Sequence, residues 1–196
     1  MFGVEAWKFL GFLLTKRGIE ANPDKCAMII GMRSPTNVKE VQQVIGRMVA
    51  LSRFLSASGD KGYPYFQWLE KNNHFVWTSE SEESFTELKE YLASPPVLGK
   101  PAPRILIRLY FVIIDRTIRS ILLQEQDKVQ RPVYFVSKVL QGPETQYQDI
   151  EKATLPVVFA TRRLRHYFQS FIVIVMTDLP IRKVLQKPYI VGRMVC

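Results

Sequence analysis

Four prolines and a glycine fall within the ten residues Ser94-Pro95-Pro96-Val97-Leu98-Gly99-Lys100-Pro101-Ala102-Pro103. No helix continues through such a stretch and no central strand accommodates it, because proline lacks an amide donor and fixes φ. The 196-residue chain is therefore expected to divide there into two parts, each long enough for a small core. The division also sorts the charge. Residues 1–100 hold 12 basic and 11 acidic side chains, and residues 101–196 hold 15 basic and 7 acidic. Of the net +9, the second part thus carries +8. A sequence pI of about 9.6 points to a polyanionic partner, nucleic acid ahead of a membrane surface.

Other chemistries are disfavoured by composition. Cys26 and Cys196 are the two cysteines, with no Cys-x-x-Cys or His/Cys cluster, so neither a disulfide framework nor a structural zinc site is expected. The longest apolar stretches, Ile105–Ile114 and Phe171–Met176, fall far short of the roughly 20 residues of a membrane helix. The N-terminus carries no signal-peptide pattern. At 47% hydrophobic residues, wholesale disorder is excluded. An intracellular chain, cytoplasmic or nuclear and not secreted, is expected.

In the first part, Phe9–Leu14 is apolar, followed by Lys16-Arg17-Gly18 and Ile19-Glu20-Ala21, a pattern that predicts a β-hairpin. Asn22-Pro23 has the form of an N-cap with proline at the first helical position, for a helix running to about Met32. Asn37 and Glu40 suit a capping box for the next helix, with Val38, Val41, Ile45, Met48 and Ser52 as its buried stripe. Tyr63, Tyr65, Phe66 and Trp68 suggest a short helix. Ser79 and Glu82 cap a last one, with Phe85, Leu88 and Leu92 inside and a glutamate-rich outer face. On the helix after Asn37, Gln42, Gly46 and Ala50 recur every four residues and share a face apart from that stripe. A helix-interior glycine costs about 1 kcal/mol against alanine, so Gly46 implies close approach, either by another helix or by a ligand. Glutamine can bond the sequence-poor acceptors of a minor groove.

The second part opens with apolar segments Ile105–Ile114, Ile118–Leu123 and Val133–Val136, read as adjacent strands. A helix from Glu151 to about Phe168 follows, kinked by Pro156, with Leu155, Val158, Phe159, Leu164 and Phe168 inward. A buried strand Phe171–Met176 and a short helix Pro180–Leu185 complete a βββαβα order. The fold class is α+β: an N-terminal hairpin and small helical bundle, then a mixed-sheet domain. Arg162, Arg163, Arg165 and His166 cluster at a helix end, where dipole relief and phosphate contact explain them equally well.

Several ordered motifs carry a resemblance. Lys8-Phe9-Leu10-Gly11-Phe12, Gly18-Ile19, Asn22-Pro23-Asp24-Lys25, Ser34-Pro35, Val38-Lys39-Glu40-Val41, Phe75-Val76-Trp77-Thr78, Phe85-x-x-Leu88-Lys89 and Ser94-Pro95-Pro96-Val97-Leu98 resemble the end of a gypsy-type reverse transcriptase. The resemblance implies that residues 1–94 are the primer-grip hairpin closing the palm and the helical thumb. Residues 95–103 are then a linker. Arg131-Pro132-Val133-Tyr134-Phe135-Val136-Ser137-Lys138, Tyr147, Glu151-Lys152, Arg165-His166-Tyr167-Phe168 and Thr177-Asp178 resemble the RNase H-like domain that follows, here residues 104–187. Residues 188–196 are expected to be a truncated tail, leading in the plant lineage called Tat toward a second RNase H.

The resemblance implies nucleic-acid contacts by Lys8, Phe9 and Gly11 on the hairpin and by Gln42, Gly46, Arg47, Ala50 and Arg53 on the thumb. RNA–DNA hybrid or duplex DNA, bound without sequence preference, and the remainder of the polyprotein are the partners expected. No membrane is. Active RNases H hold two Mg²⁺ ions with two Asp and one Glu. Carried over residue by residue, Val112 and Ala153 occupy two of those positions and Asp178 alone remains. Neighbouring Asp115 and Glu151 reach neither place by side-chain rotation. No Asp-Asp pair occurs, and the chain begins past the polymerase carboxylates. The expectation is a catalytically inactive fragment that tethers nucleic acid and binds no metal or other cofactor. Two alternatives stand beside it: an active RNase H-like endonuclease with a rearranged metal site, and a transposon remnant without function.

Overall fold

A computed structural model describes residues 11–56, 65, 75–114 and 116–186, and residues 6–9 as backbone. The chain forms two compact units, Met1–Lys100 and Pro101–Cys196.

The first unit opens with an antiparallel meander, β1 (Ala6–Phe9), β2 (Phe12–Thr15) and β3 (Gly18–Ala21). The expected hairpin is thus two hairpins. Gly11 at φ +82° turns the apolar run back on itself, so Phe9 pairs with Phe12. A continuous apolar run concealed that turn. Helix α1 (Pro23–Ile30) starts as expected: the Asn22 side chain accepts from the Asp24 amide at 2.9 Å. It has no basic residue in its last turn. Side chains from later helices bond its closing carbonyls instead: Arg47 donates to Met28 O at 2.9 Å and Lys89 to Met32 O at 2.6 Å.

Helix α2 (Val38–Leu51) is capped by Asn37, which accepts from the Glu40 amide at 3.0 Å. The capping box is only half made. The Glu40 carboxylate takes the Thr36 amide at 2.8 Å and the Thr36 hydroxyl, which hold its carboxyl below the ordinary range. The buried stripe is Val41, Val44, Met48 and Leu51 rather than the predicted set; Ile45 is half-buried and Val38 exposed. Both stripes obey helical spacing, and the neighbours α1 and the 3-10 turn Ser52–Phe54 choose between them.

Of the predicted Tyr63–Trp68 helix only Tyr65 lies within the described residues, helical and fully buried. Helix α3 (Ser79–Ala93) is capped by Thr78 and not Ser79: the Thr78 hydroxyl accepts from the Ser81 amide at 3.2 Å. Phe85, Leu88 and Leu92 are buried as the spacing predicts, and Glu80, Glu83, Glu87 and Glu90 are exposed. Trp77 stacks on Tyr65 at 5.8 Å and meets Phe85 edge-on at 5.9 Å. The proline-rich segment is not a free connector along its whole length. Leu98 is fully buried and pairs with Ile19, its amide donating to Ile19 O at 2.9 Å.

Glu82 accepts the Trp77 indole N–H at 2.5 Å, and hydrogen bonds from Ser34 and Trp77 hold its carboxyl below the ordinary range. A carboxyl depressed in the folded state stabilises above its unfolded pKa, about 4.3, and that gain is lost as pH falls through the folded value. Glu82→Gln should therefore destabilise the first unit at neutral pH, with the gap from wild type closing below about pH 4. Urea titrations at the two pH values measure it; an unchanged gap would contradict the linkage.

The second unit holds a four-stranded sheet in the order β6-β5-β4-β7. Its strands are β4 (Ile107–Ile114), β5 (Thr117–Gln126), β6 (Val129–Val139) and β7 (Val173–Met176). The first three are antiparallel and β7 lies parallel to β4, so the sheet is mixed. Pro132 is tolerated because β6 is an edge, with a register shift opposite Leu122/Leu123. The buried Gln124 side chain ties the sheet to the proline-rich segment, bonding Ala102 N, Ala102 O and Ile105 O at 2.8–3.1 Å.

The single long helix expected over Glu151–Phe168 is three: α4 (Asp149–Lys152), α5 (Leu155–Arg163) and α6 (Arg165–Ser170). Pro156 opens α5 in its first turn instead of kinking a continuous helix, the position where its missing amide costs nothing. Val157, Ala160, Leu164 and Tyr167 face the sheet, while Val158, Phe159 and Phe168 are half-buried. Strand β7 is not the buried strand predicted. It is an edge whose residues alternate, Ile174 and Met176 being exposed. Helix α7 (Ile181–Leu185) closes the described chain, packing Ile181 into the same core.

Candidate nucleic-acid interface

In the first unit the expected contact residues fall into two groups. Gln42, Gly46 and Ala50 lie along one exposed face of α2. A Cβ built on Gly46 meets nothing within 4 Å. Of the two explanations for this glycine, close packing by another helix is thereby removed among the described residues.

The second group surrounds the hairpin turn. Arg53 lies over the Phe12 ring, its guanidinium carbon 4.7 Å from the centroid, and Phe12 also meets Phe54 at 5.7 Å. The end of α2 and the strand after Gly11 are thus packed together. Glycine is favoured at Gly11 by its φ of +82°, and the Lys25 ammonium lies against it. Sequence reasoning gave Lys25 no role; the Asn22-Pro23 cap, which sets the phase of α1, was the available signal. Arg47 is half-buried and spends a donor on Met28 O. Lys8 and Phe9 lie in β1, with their side chains outside the described residues.

In the second unit the register that pairs Tyr110 with Met176 brings Val112 on β4 alongside the end of β7, which Asp178 follows. On β4, Ile107, Leu109, Phe111 and Ile113 face the helices, so Val112 points to the opposite face, where it is 47% exposed. Ala153 is fully buried on the helix side, in the cluster with Ile107 and Leu109. Asp178 is exposed just beyond β7. Glu151 is half-buried, and Asp115 lies outside the described residues. Among the described residues no three His, Cys, Asp or Glu side chains are grouped to hold a metal ion. Of Val112, Ala153 and Asp178, Asp178 alone carries a side chain able to hold a cation. No described helix is long and apolar enough to cross a membrane.

Residues 77–175 match the family described as the RNase H-like domain found in reverse transcriptase, a match that runs through the proline-rich segment. The Retrovirus-related Pol polyprotein from transposon 297 of Drosophila melanogaster is 30% identical over 161 residues, covering 81% of this chain and 15% of that protein. The Transposon Tf2-3 polyprotein of Schizosaccharomyces pombe is 25% identical over 166 residues, covering 84% of this chain and 12% of that protein. The chain therefore spans about an eighth of the length of these relatives. Among solved structures, the foamy viral protease-reverse transcriptase in complex with dsDNA superposes with a TM-score of 0.73 at 19% identity, covering 94% of this chain and 39% of that one. The same enzyme in complex with an RNA/DNA hybrid gives a TM-score of 0.73, covering 94% of this chain and 25% of that one. The chain belongs to the family of RNase H-like domains found in reverse transcriptase and corresponds to the reverse transcriptase–RNase H region of retrotransposon and retroviral Pol polyproteins.

Proposed function

We propose that this chain is a nucleic-acid-holding region of a gypsy-type retrotransposon polyprotein. Its first unit tracks a duplex or RNA–DNA hybrid along α2, and its RNase H-like unit serves as a tether without hydrolytic activity. The observation that carries the reading is the exposed Gln42–Gly46–Ala50 face with open space over Gly46. A glycine kept in a helix at about 1 kcal/mol, with nothing among the described residues to require it, is accounted for by a ligand approaching the backbone from outside. Gln42 supplies a donor for minor-groove acceptors shared by all sequences, which makes the binding non-specific. The foamy viral relatives of the fold are held on dsDNA and on RNA/DNA hybrid, in keeping with this.

Loss of hydrolysis is supported by the side chains themselves, since neither Val112 nor Ala153 carries a group that could hold a cation. Asp178 alone does not hold two ions. The Val112/Ala153 pattern also favours the plant lineage called Tat. Incubation with a labelled RNA–DNA hybrid and Mg²⁺ or Mn²⁺ is expected to give retention of the intact hybrid. Cleavage that disappears in Asp178→Asn would overturn the inactive assignment.

A further inference from the structure

We propose that the second unit has its own contact with nucleic acid, a phosphate-binding corner formed by Arg162, Arg163, Arg165 and His166 where α5 gives way to α6. The proposal rests on the nucleic-acid reading above and adds a separate site to it.

The break at Leu164 decides between the two explanations of this cluster. Leu164 has φ −120° and ψ 33°, which ends α5 at Arg163 and begins α6 at Arg165. Arg162 and Arg163 then occupy the last turn of α5, where cations relieve the helix dipole. Arg165 opens α6, in whose first turn the dipole disfavours a cation. Helix stabilisation therefore accounts for Arg162 and Arg163 and is opposed by Arg165. All four side chains are exposed.

Nothing acidic in the sequence lies nearby to explain them. No Asp or Glu occurs between Glu151 and Asp178. Among the described residues neither Arg163 nor Arg165 has an acidic partner. Leu164 and Tyr167 are buried in the sheet–helix core, with Tyr167 edge-on to Tyr134 at 6.2 Å. Arg163 and Arg165 are thus cationic, without an acidic partner among the described residues, and carried on helices fixed from beneath, and guanidinium groups match phosphate oxygens in fork geometry. It also lies in the unit that carries +8 of the net charge.

The test uses the full chain and a short mixed-sequence duplex DNA, with affinity measured against salt. Arg163→Gln/Arg165→Gln should lower the slope of log affinity against log salt by about 1.8, the loss of two phosphate contacts at about 0.9 each. Both positions are exposed, so circular dichroism should show an unchanged fold. Arg131→Gln/Arg182→Gln removes the same charge at two exposed positions elsewhere in the unit and should leave the slope unchanged. Equal effects of the two doubles, or none from the first, would overturn the corner while leaving duplex binding intact. A wild-type chain without duplex affinity would remove both proposals. Capture by phosphatidylserine–phosphatidylcholine vesicles, lost in the first double while duplex binding is unaffected, would assign the corner to a membrane surface instead.

Discussion

Gly46→Ala should make the protein more stable and its grip on duplex weaker. The Cβ meets open space, so the substitution gains the helix-propensity difference of about 0.8–1 kcal/mol with no internal clash. The same methyl stands on the face beside Gln42 and Ala50, where a close-fitting ligand must give way to it. An added group in a tight contact costs about 1–3 kcal/mol, or roughly five- to 150-fold in affinity. Gly46→Glu, which adds bulk and a negative charge, should abolish binding and leave the fold intact. Thermal denaturation and duplex titration on the same samples separate the two effects. Stabilisation without loss of affinity would show that this face is not the contact surface, and destabilisation would show that something occupies the space.

The second large effect concerns Val112 and Ala153, the positions proposed to have lost hydrolytic acids. Val112→Asp should be tolerated, because the side chain is 47% exposed and strand propensities differ by only about 1 kcal/mol. Ala153→Glu should be ruinous. A carboxylate entering the cluster of Ile107, Leu109 and Leu122 carries a burial penalty of several kcal/mol, and the added volume another 1–3 kcal/mol. Against a total stability of about 5–15 kcal/mol, the second unit should unfold or come close to it. The double variant should consequently gain no hybrid cleavage. A folded Ala153→Glu protein, with Mg²⁺-dependent cleavage in the double, would show that the site is dormant and reparable. Circular dichroism melts and a hybrid cleavage assay read both outcomes.

Much of the architecture follows from local chemistry. Prolines 95, 96, 101 and 103 divide the chain, and Asn22-Pro23 starts α1. Each acts through its own backbone, so its signal is complete in one or two residues. What escaped depends on partners distant in sequence. Apolar continuity over Phe9–Leu14 hid the Gly11 turn, against which the Lys25 ammonium packs. Val38 and Val44 both suit a helical stripe, and only the packing of α1 against α2 buries the second. Pro156 suits a kink as well as a helix start, and the choice moves Arg165 from a helix interior to a helix opening.

The candidate site divides in the same way. The proposal that Val112 and Ala153 stand where acids were comes from the sequence; that Val112 is exposed and Ala153 buried is a matter of strand parity against helices packed from one side. The Gln42–Gly46–Ala50 spacing is likewise legible. That the face is open is not, since helical spacing places three residues together without saying what lies over them.

The central claim is that this chain binds nucleic-acid duplexes through phosphate and groove contacts common to all sequences. Its most direct test is equilibrium binding of the full chain to two duplex DNAs of unrelated sequence and one RNA–DNA hybrid across a range of salt. Comparable affinities at low salt, each falling log-linearly as salt rises, are the predicted result. No affinity at the lowest salt, or an affinity indifferent to salt, would contradict it.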